Sequence, residues 1–243
     1  MAGHAALWNG SAIGWVDLNP TGYDYSHAWS VSNGRQVGYV GPNWYGHAAL
    51  WSGTSASFVD LHPAGYGFSE ARGVCGDEQV GYAYFGEDPI ASLWTGTAES
   101  WVNLNPAGAI TSLAQSVSSG FQVGNADFGA GFHAGMWSGT AESWVDLHAS
   151  LSADYNWSYA HGIEVTDSDI WIVGSAQNIA AGRYEAVLWH NVIPEPSSLL
   201  AVGGIDGAGR IGAEEKGIAD HPDFRLQISN FKLKDPFNLK SAI

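Results

Sequence analysis

Histidine and aspartate return at matched places along this chain. His4, His47 and His133 each open a short apolar run, which reads "HAALW" in the first two copies. Asp17, Asp60 and Asp146, with Asn103 in a further copy, sit in "VDL"-like segments, and His62 and His148 follow two of them. Imidazoles and carboxylates can bind metals or move protons, and carboxylate pairs hydrolyse glycosidic bonds. Catalytic groups, however, need unlike environments to separate their pKa values. A residue copied in every repeat meets the same environment each time and lands on a different unit, so convergence on one site is not required. The repeated His are therefore read as strand-capping or hydrogen-bonding groups, and the repeated Asp as turn or interstrand bonding groups.

Other chemistry is sparser. The chain holds no H-E-x-x-H and no Cys/His set with metal spacing. "TDSD" at Thr166–Asp169 offers oxygen ligands for Ca2+ but lacks the rest of an EF-type loop. Ca2+ is the one cofactor candidate. "GAGRIG", Gly207–Gly212, fits a dinucleotide fingerprint, yet in the 31 residues that follow it no helix and second strand with an acidic residue are legible. Cys75 is the single cysteine, and no G-x-S-x-G elbow occurs. No catalytic residue is assigned, and the chain is read as non-catalytic.

Aromatic side chains in the connections are the remaining candidates. Tyr23, Tyr25, Trp44, Tyr45, Tyr66, Tyr155 and Trp157 fall where the copies differ. Of these, Trp44, Tyr45, Tyr23, Tyr66 and Trp157 are the expected ligand-contacting set, stacking on a sugar or a partner surface. Local loop packing is the competing reading.

The elements that would hold these groups come from an internal repeat. The tryptophan of an "LW" or "MW" pair falls at Trp8, Trp51, Trp94, Trp137 and Trp189, in steps of 43, 43, 43 and 52 residues. The "VDL" valines (Val16, Val59, Val102, Val145), a small alanine (Ala28, Ala71, Ala114, Ala160) and the "QVG" valines (Val37, Val80, Val123, Val173) keep the same register. Each unit reads as four short strands. Asn33–Gly34 and Ser119–Gly120 are hairpin signals between a "SVS" strand and a "QVG" strand. "HAALW" is apolar on both faces, with Ala48 and Leu50 on one and Ala49 and Trp51 on the other. That pattern predicts a strand packed between two sheets. The five repeat tryptophans are expected in the core between units.

Four antiparallel strands per 43 residues, stacked face to face, predict an all-β, β-propeller-like array of four-stranded blades. If a blade runs "SVS", "QVG", "LW", "VDL", the chain opens halfway through one. Pairing the first unit with the last would close a ring of four blades, or of five with one incomplete. A stacked β-solenoid is the runner-up. The propeller domain is placed at residues 1–196, with an atypical, poorly packed tail at 197–243.

Charge follows the same division. Residues 1–196 hold eighteen acidic residues against only Arg35, Arg72 and Arg183, whereas the tail holds six of each sign. The formal net charge of −15 thus resides in the repeats, which argues against nucleic acid, whose phosphates demand Lys and Arg. No apolar run approaches the roughly 20 residues of a membrane-spanning helix. "MAGHAALW" shows no signal peptide.

"GRQVGYVGPNWYGHAALWSGT…FVDL" resembles the extracellular HAF repeat, whose form is an "IN..GQVVG" hairpin, then "HAFLW", then a "DLG" segment. The match covers nearly all of residues 1–191, although Ala49, Ser92, Gly135 and Val187 stand where the family has Phe. The resemblance implies a β-propeller-like exported protein without an assigned activity. "VIPEPSSLLAVGG", residues 192–204, resembles the opening of a PEP-CTERM sorting signal, with "IDGAGRIGAEEK" in place of the apolar span. That implies a bacterial surface or exopolysaccharide-associated protein. The expected function is an extracellular scaffold or binding module whose partner is a polysaccharide or another surface protein. A lectin-like glycan binder and a hydrolase with a central-channel site are the alternatives.

Overall fold

A computed structural model describes residues 3–8, 10, 13–42, 45–192 and 227–229. Trp44, the "PEPSS" motif and "GAGRIG" lie outside the described residues. Strands β1 (Ala6–Trp8) and β2 (Trp15–Asp17) form a two-stranded sheet. Four four-stranded antiparallel sheets follow. The first comprises β3 (Ser26–Ser32), β4 (Arg35–Val40), β5 (His47–Trp51) and β6 (Val59–Asp60); the second β7 (Ser69–Cys75), β8 (Glu78–Phe85), β9 (Asp88–Trp94) and β10 (Val102–Asn103). The third comprises β11 (Thr111–Ser118), β12 (Phe121–Asp127), β13 (Phe132–Trp137) and β14 (Val145–Asp146). The last comprises β15 (Tyr155–Val165), β16 (Asp169–Asn178), β17 (Arg183–Val192) and β18 (Gln227–Ser229).

The first three four-stranded sheets therefore run in the order "SVS", "QVG", "LW", "VDL", with the break after "VDL", and the last keeps the first three of these strands and takes β18 as its fourth. The hairpins form where expected. Asn33 and Gly34 take φ of 47° and 78°, and Ser119 and Gly120 take 48° and 82°, as a two-residue loop with both residues left-handed requires. Pairing of the first unit with the last does not occur among the described residues: β1 pairs with β2, and β17 takes β18 on its outer edge. The tail thus supplies the fourth strand that the last repeat lacks.

The core lies between sheets. Ala48, Leu50, Val37 and Leu61 meet Ala71, Val74 and Trp94 of the next sheet. Ala49 and Trp51 instead face the preceding unit, against Ala5 and Leu18. The doubly apolar "HAALW" is thereby explained: both its faces are buried. Trp51, Trp94, Trp137 and Trp189 are fully buried, whereas Trp8 is 63% exposed because no described sheet precedes it. Core placement thus holds for four of the five repeat tryptophans and fails for the first. Burying an indole of roughly 200 Å² contributes on the order of 5 kcal/mol as an upper bound.

A repeated serine satisfies one backbone N–H at each seam. Ser26, Ser69, Ser112 and Ser158 are buried, each within the first four residues of a first strand. Their Oγ atoms accept from the backbone N–H of Ala5, Ala48, Ala91 and Ala134, each in the preceding unit, at 2.9–3.0 Å.

Candidate functional site

The repeated histidines and aspartates find one another inside each unit. Nδ1 of His4, His47 and His133 lies 2.8, 2.7 and 2.9 Å from Oδ2 of Asp17, Asp60 and Asp146. The other carboxylate oxygen accepts from the backbone N–H two residues on, at Asn19, His62 and His148. His62 and His148 stack on His47 and His133 with centroids 4.0 and 4.2 Å apart, and their Nδ1 atoms reach the seam serines Ser69 and Ser158. In the third copy of the repeat the ionisable pair is absent: Ile90 stands in the histidine place and Asn103 in the aspartate place, and Ser112 bonds Asn105 instead. These groups tie strand to turn to next sheet. Burial first, then the adjacent imidazole, holds His62 and His148 below the usual histidine value.

A different set of residues occupies the first strands. In every four-stranded sheet the ladder between first and second strand skips a residue at one repeated place, between Ala28 and Ser30, Ala71 and Gly73, Ala114 and Ser116, and Ala160 and Gly162, and the last sheet skips another between Tyr155 and Trp157. The bulged residues are Trp29, Arg72, Gln115 and His161, four unlike side chains at one repeated position. A bulge bends its strand and re-aims a side chain. The recurring glycine of "QVG" makes room for it. A Cβ on Gly38, Gly81, Gly124 or Gly174 would lie 1.7–2.0 Å from the carbonyl oxygen of His27, Glu70, Leu113 or Tyr159. The first strands also neighbour one another, β3 beside β7, β7 beside β11, and β11 beside β15. The bulged residues therefore form a row across the sheets.

At β3 and β7 this row becomes a continuous strip. Arg72 lies over the Trp29 ring at 4.3 Å, and its Nε is 2.7 Å from Oε1 of the buried Glu70. Tyr82 donates its hydroxyl to Oε2 of Glu70 at 2.6 Å. On one side Trp29 meets His27 at 3.9 Å, and His27 stacks towards Tyr39 and then Tyr25. On the other, Tyr82 contacts Tyr84, which stacks on Phe68 at 3.8 Å, and Phe68 meets Tyr45 edge-on at 5.5 Å. Trp29 and Tyr45 are 45% and 71% exposed, so the strip offers aromatic surface at separated points. Burial raises the Tyr39, Tyr82 and Tyr84 hydroxyls above the usual tyrosine value, so all three stay protonated near neutrality and can donate.

The expected loop aromatics divide. Among the described ones Tyr45 is the most exposed and belongs to the strip. Trp157 is 37% exposed and lies against Gly131, where a Cβ would be 2.1 Å from its Nε1. Tyr23 and Tyr66 are half-buried, Tyr23 against Phe58 and Tyr66 against Trp101 and Phe85. Trp44 lies outside the described residues. Loop reasoning missed Trp29, Arg72, Glu70 and Tyr82. The signal for two of them was available: the position after each recurring alanine changes in every copy while its neighbours persist.

Among the described residues no group of three or more His, Cys, Asp or Glu is arranged to hold a metal ion. Asp169 of "TDSD" bonds His190 and the adjacent Ser168. No helix of the described residues is long and apolar enough to cross a membrane. No family model, curated protein or solved structure matches the chain.

Proposed function

We propose that this protein is an extracellular, non-catalytic binding module built on a propeller-like stack, with the strip from Tyr25 through Trp29 and Arg72 to Tyr45 as its recognition surface. The observation that carries this reading is the contrast between two kinds of position. Residues that recur build the seams, and residues that differ in every copy gather on the first strands. The blade reading is supported by each first strand β7, β11 and β15 lying against the first three strands of the preceding sheet, and by the buried side chains that fill every seam face to face. The export reading rests on the HAF-type repeat and the PEP-CTERM-like motif.

A glycan is the ligand class that this surface suits best. Aromatic faces stack on the apolar faces of sugar rings, and the fixed Glu70–Arg72–Tyr82 cluster orients polar groups beside them, the usual composition of a small-molecule site. The strongly acidic body favours neutral or cationic polymers over anionic ones. Isothermal titration with soluble neutral and amino polysaccharides tests the proposal. Trp29→Ala and Tyr45→Ala should each weaken binding about tenfold, the effect of losing one hot-spot contact of roughly 1.4 kcal/mol. Phe128→Ala, off the strip, should leave it unchanged. No binding at millimolar sugar, or equal loss in all three variants, rejects the glycan reading.

A further inference from the structure

The strip is one part of a longer surface. In each four-stranded sheet three positions come together at the bulge. They are the bulged residue, the residue two places before it, and that residue's ladder partner just after the "QVG" glycine. In the first, second and last sheets these side chains engage one another. His27 meets Trp29 and stacks towards Tyr39. Glu70 binds Arg72 and Tyr82. His161 Nε2 lies 3.0 Å from Ser175 Oγ, beside Tyr159.

The third sheet breaks the pattern. Leu113 stands where the second sheet has Glu70, and it offers its ladder partner Asn125 no acceptor. Asn125 is only 3% exposed, and its Nδ2 has no hydrogen-bond partner among the described residues. An orphaned buried donor costs stability that an apolar side chain of the same shape would not. Its acceptor must come from a water or a ligand. The place is contiguous with the strip. A Cβ on Gly73, the residue after Arg72, would stand 3.1 Å from the carbonyl oxygen of the bulged Gln115, whose side chain is partly exposed.

We infer, resting on the glycan reading above, that the ligand is an extended chain of several sugars, which stacks on Trp29 and continues past Arg72 to a second subsite where a sugar hydroxyl accepts from Asn125 beside Gln115. A hydroxyl both donates and accepts, so one group satisfies Nδ2 and bonds the Gln115 amide. A rotamer change of the kind common at binding surfaces uncovers the Asn125 amide. Stacking holds rings at one end, and the amides of the third sheet read hydroxyls at the other.

Calorimetric titration with cello-oligosaccharides and N-acetylchito-oligosaccharides of two, four and six sugars tests this. Affinity should rise with length in the series that binds. Asn125→Leu should weaken the hexasaccharide about five- to tenfold, as loss of one hydrogen bond does, and leave the disaccharide unchanged. Trp29→Ala should weaken both. Without ligand, Asn125→Leu should melt at the same temperature or higher, whereas an amide held by a structural water would make it melt lower. Equal affinity at every length, hexasaccharide binding untouched by Asn125→Leu, or a lowered melting temperature in that variant overturns the inference. The glycan reading survives those results if Trp29→Ala still weakens binding. No binding at any length rejects both.

Discussion

His62 shows how a single side chain spans local and tertiary structure. Its backbone N–H completes the turn on Asp60, its Nδ1 meets Ser69 of the next sheet, and its Nε2 meets the carbonyl of Tyr66. The folded state holds His62 and His148 below the ordinary histidine pKa of about 6.5, chiefly by burial. The unfolded chain therefore binds these protons more readily. The stability from keeping the two rings neutral is full above about pH 6.5 and is lost as pH falls through their lower folded values. Thermal melts from pH 8 to pH 5 should show that fall, and His62→Asn with His148→Asn should flatten it. Asparagine is the residue that another copy carries at this place, as Asn105. An unchanged slope would reject the assignment. That the copied His and Asp serve bonding was legible from their repetition. Which atom meets which was not, because it depends on strand register.

The bulge is the feature that joins element to site. "A-x" followed by "QVG" recurs openly in the sequence, but the extra residue is visible only once two strands are paired. Its cause is steric: the first strand's carbonyl sits where a Cβ on the facing glycine would be. Gly81→Ala would place that Cβ 1.9 Å from the Glu70 oxygen. Straightening the bulge should cost about 1–3 kcal/mol or more and displace Arg72 from Trp29. Urea denaturation reads the first effect and loss of glycan binding the second. Gly81 lies outside the left-handed region, so the collision with the Glu70 carbonyl sets the cost of that substitution.

Across the whole molecule, position in the stack decides what a repeated residue does. Trp94 and Trp8 hold the same place in their copies, yet one is 0% and the other 63% exposed. Trp94→Ala should cost about 3–5 kcal/mol in urea denaturation, whereas Trp8→Ala should stay within about 0.5 kcal/mol. Equal costs would mean that the head face is covered. The 43-residue period, the turn residues and the two apolar faces of "HAALW" determined by themselves that this chain makes stacked antiparallel sheets, because burial and left-handed turns act through local pattern. Only the tertiary structure decided where each sheet breaks, which strand completes the last one and which unlike residues share a surface. Those outcomes depend on register and on neighbours far along the chain, which a repeated pattern leaves identical for every copy.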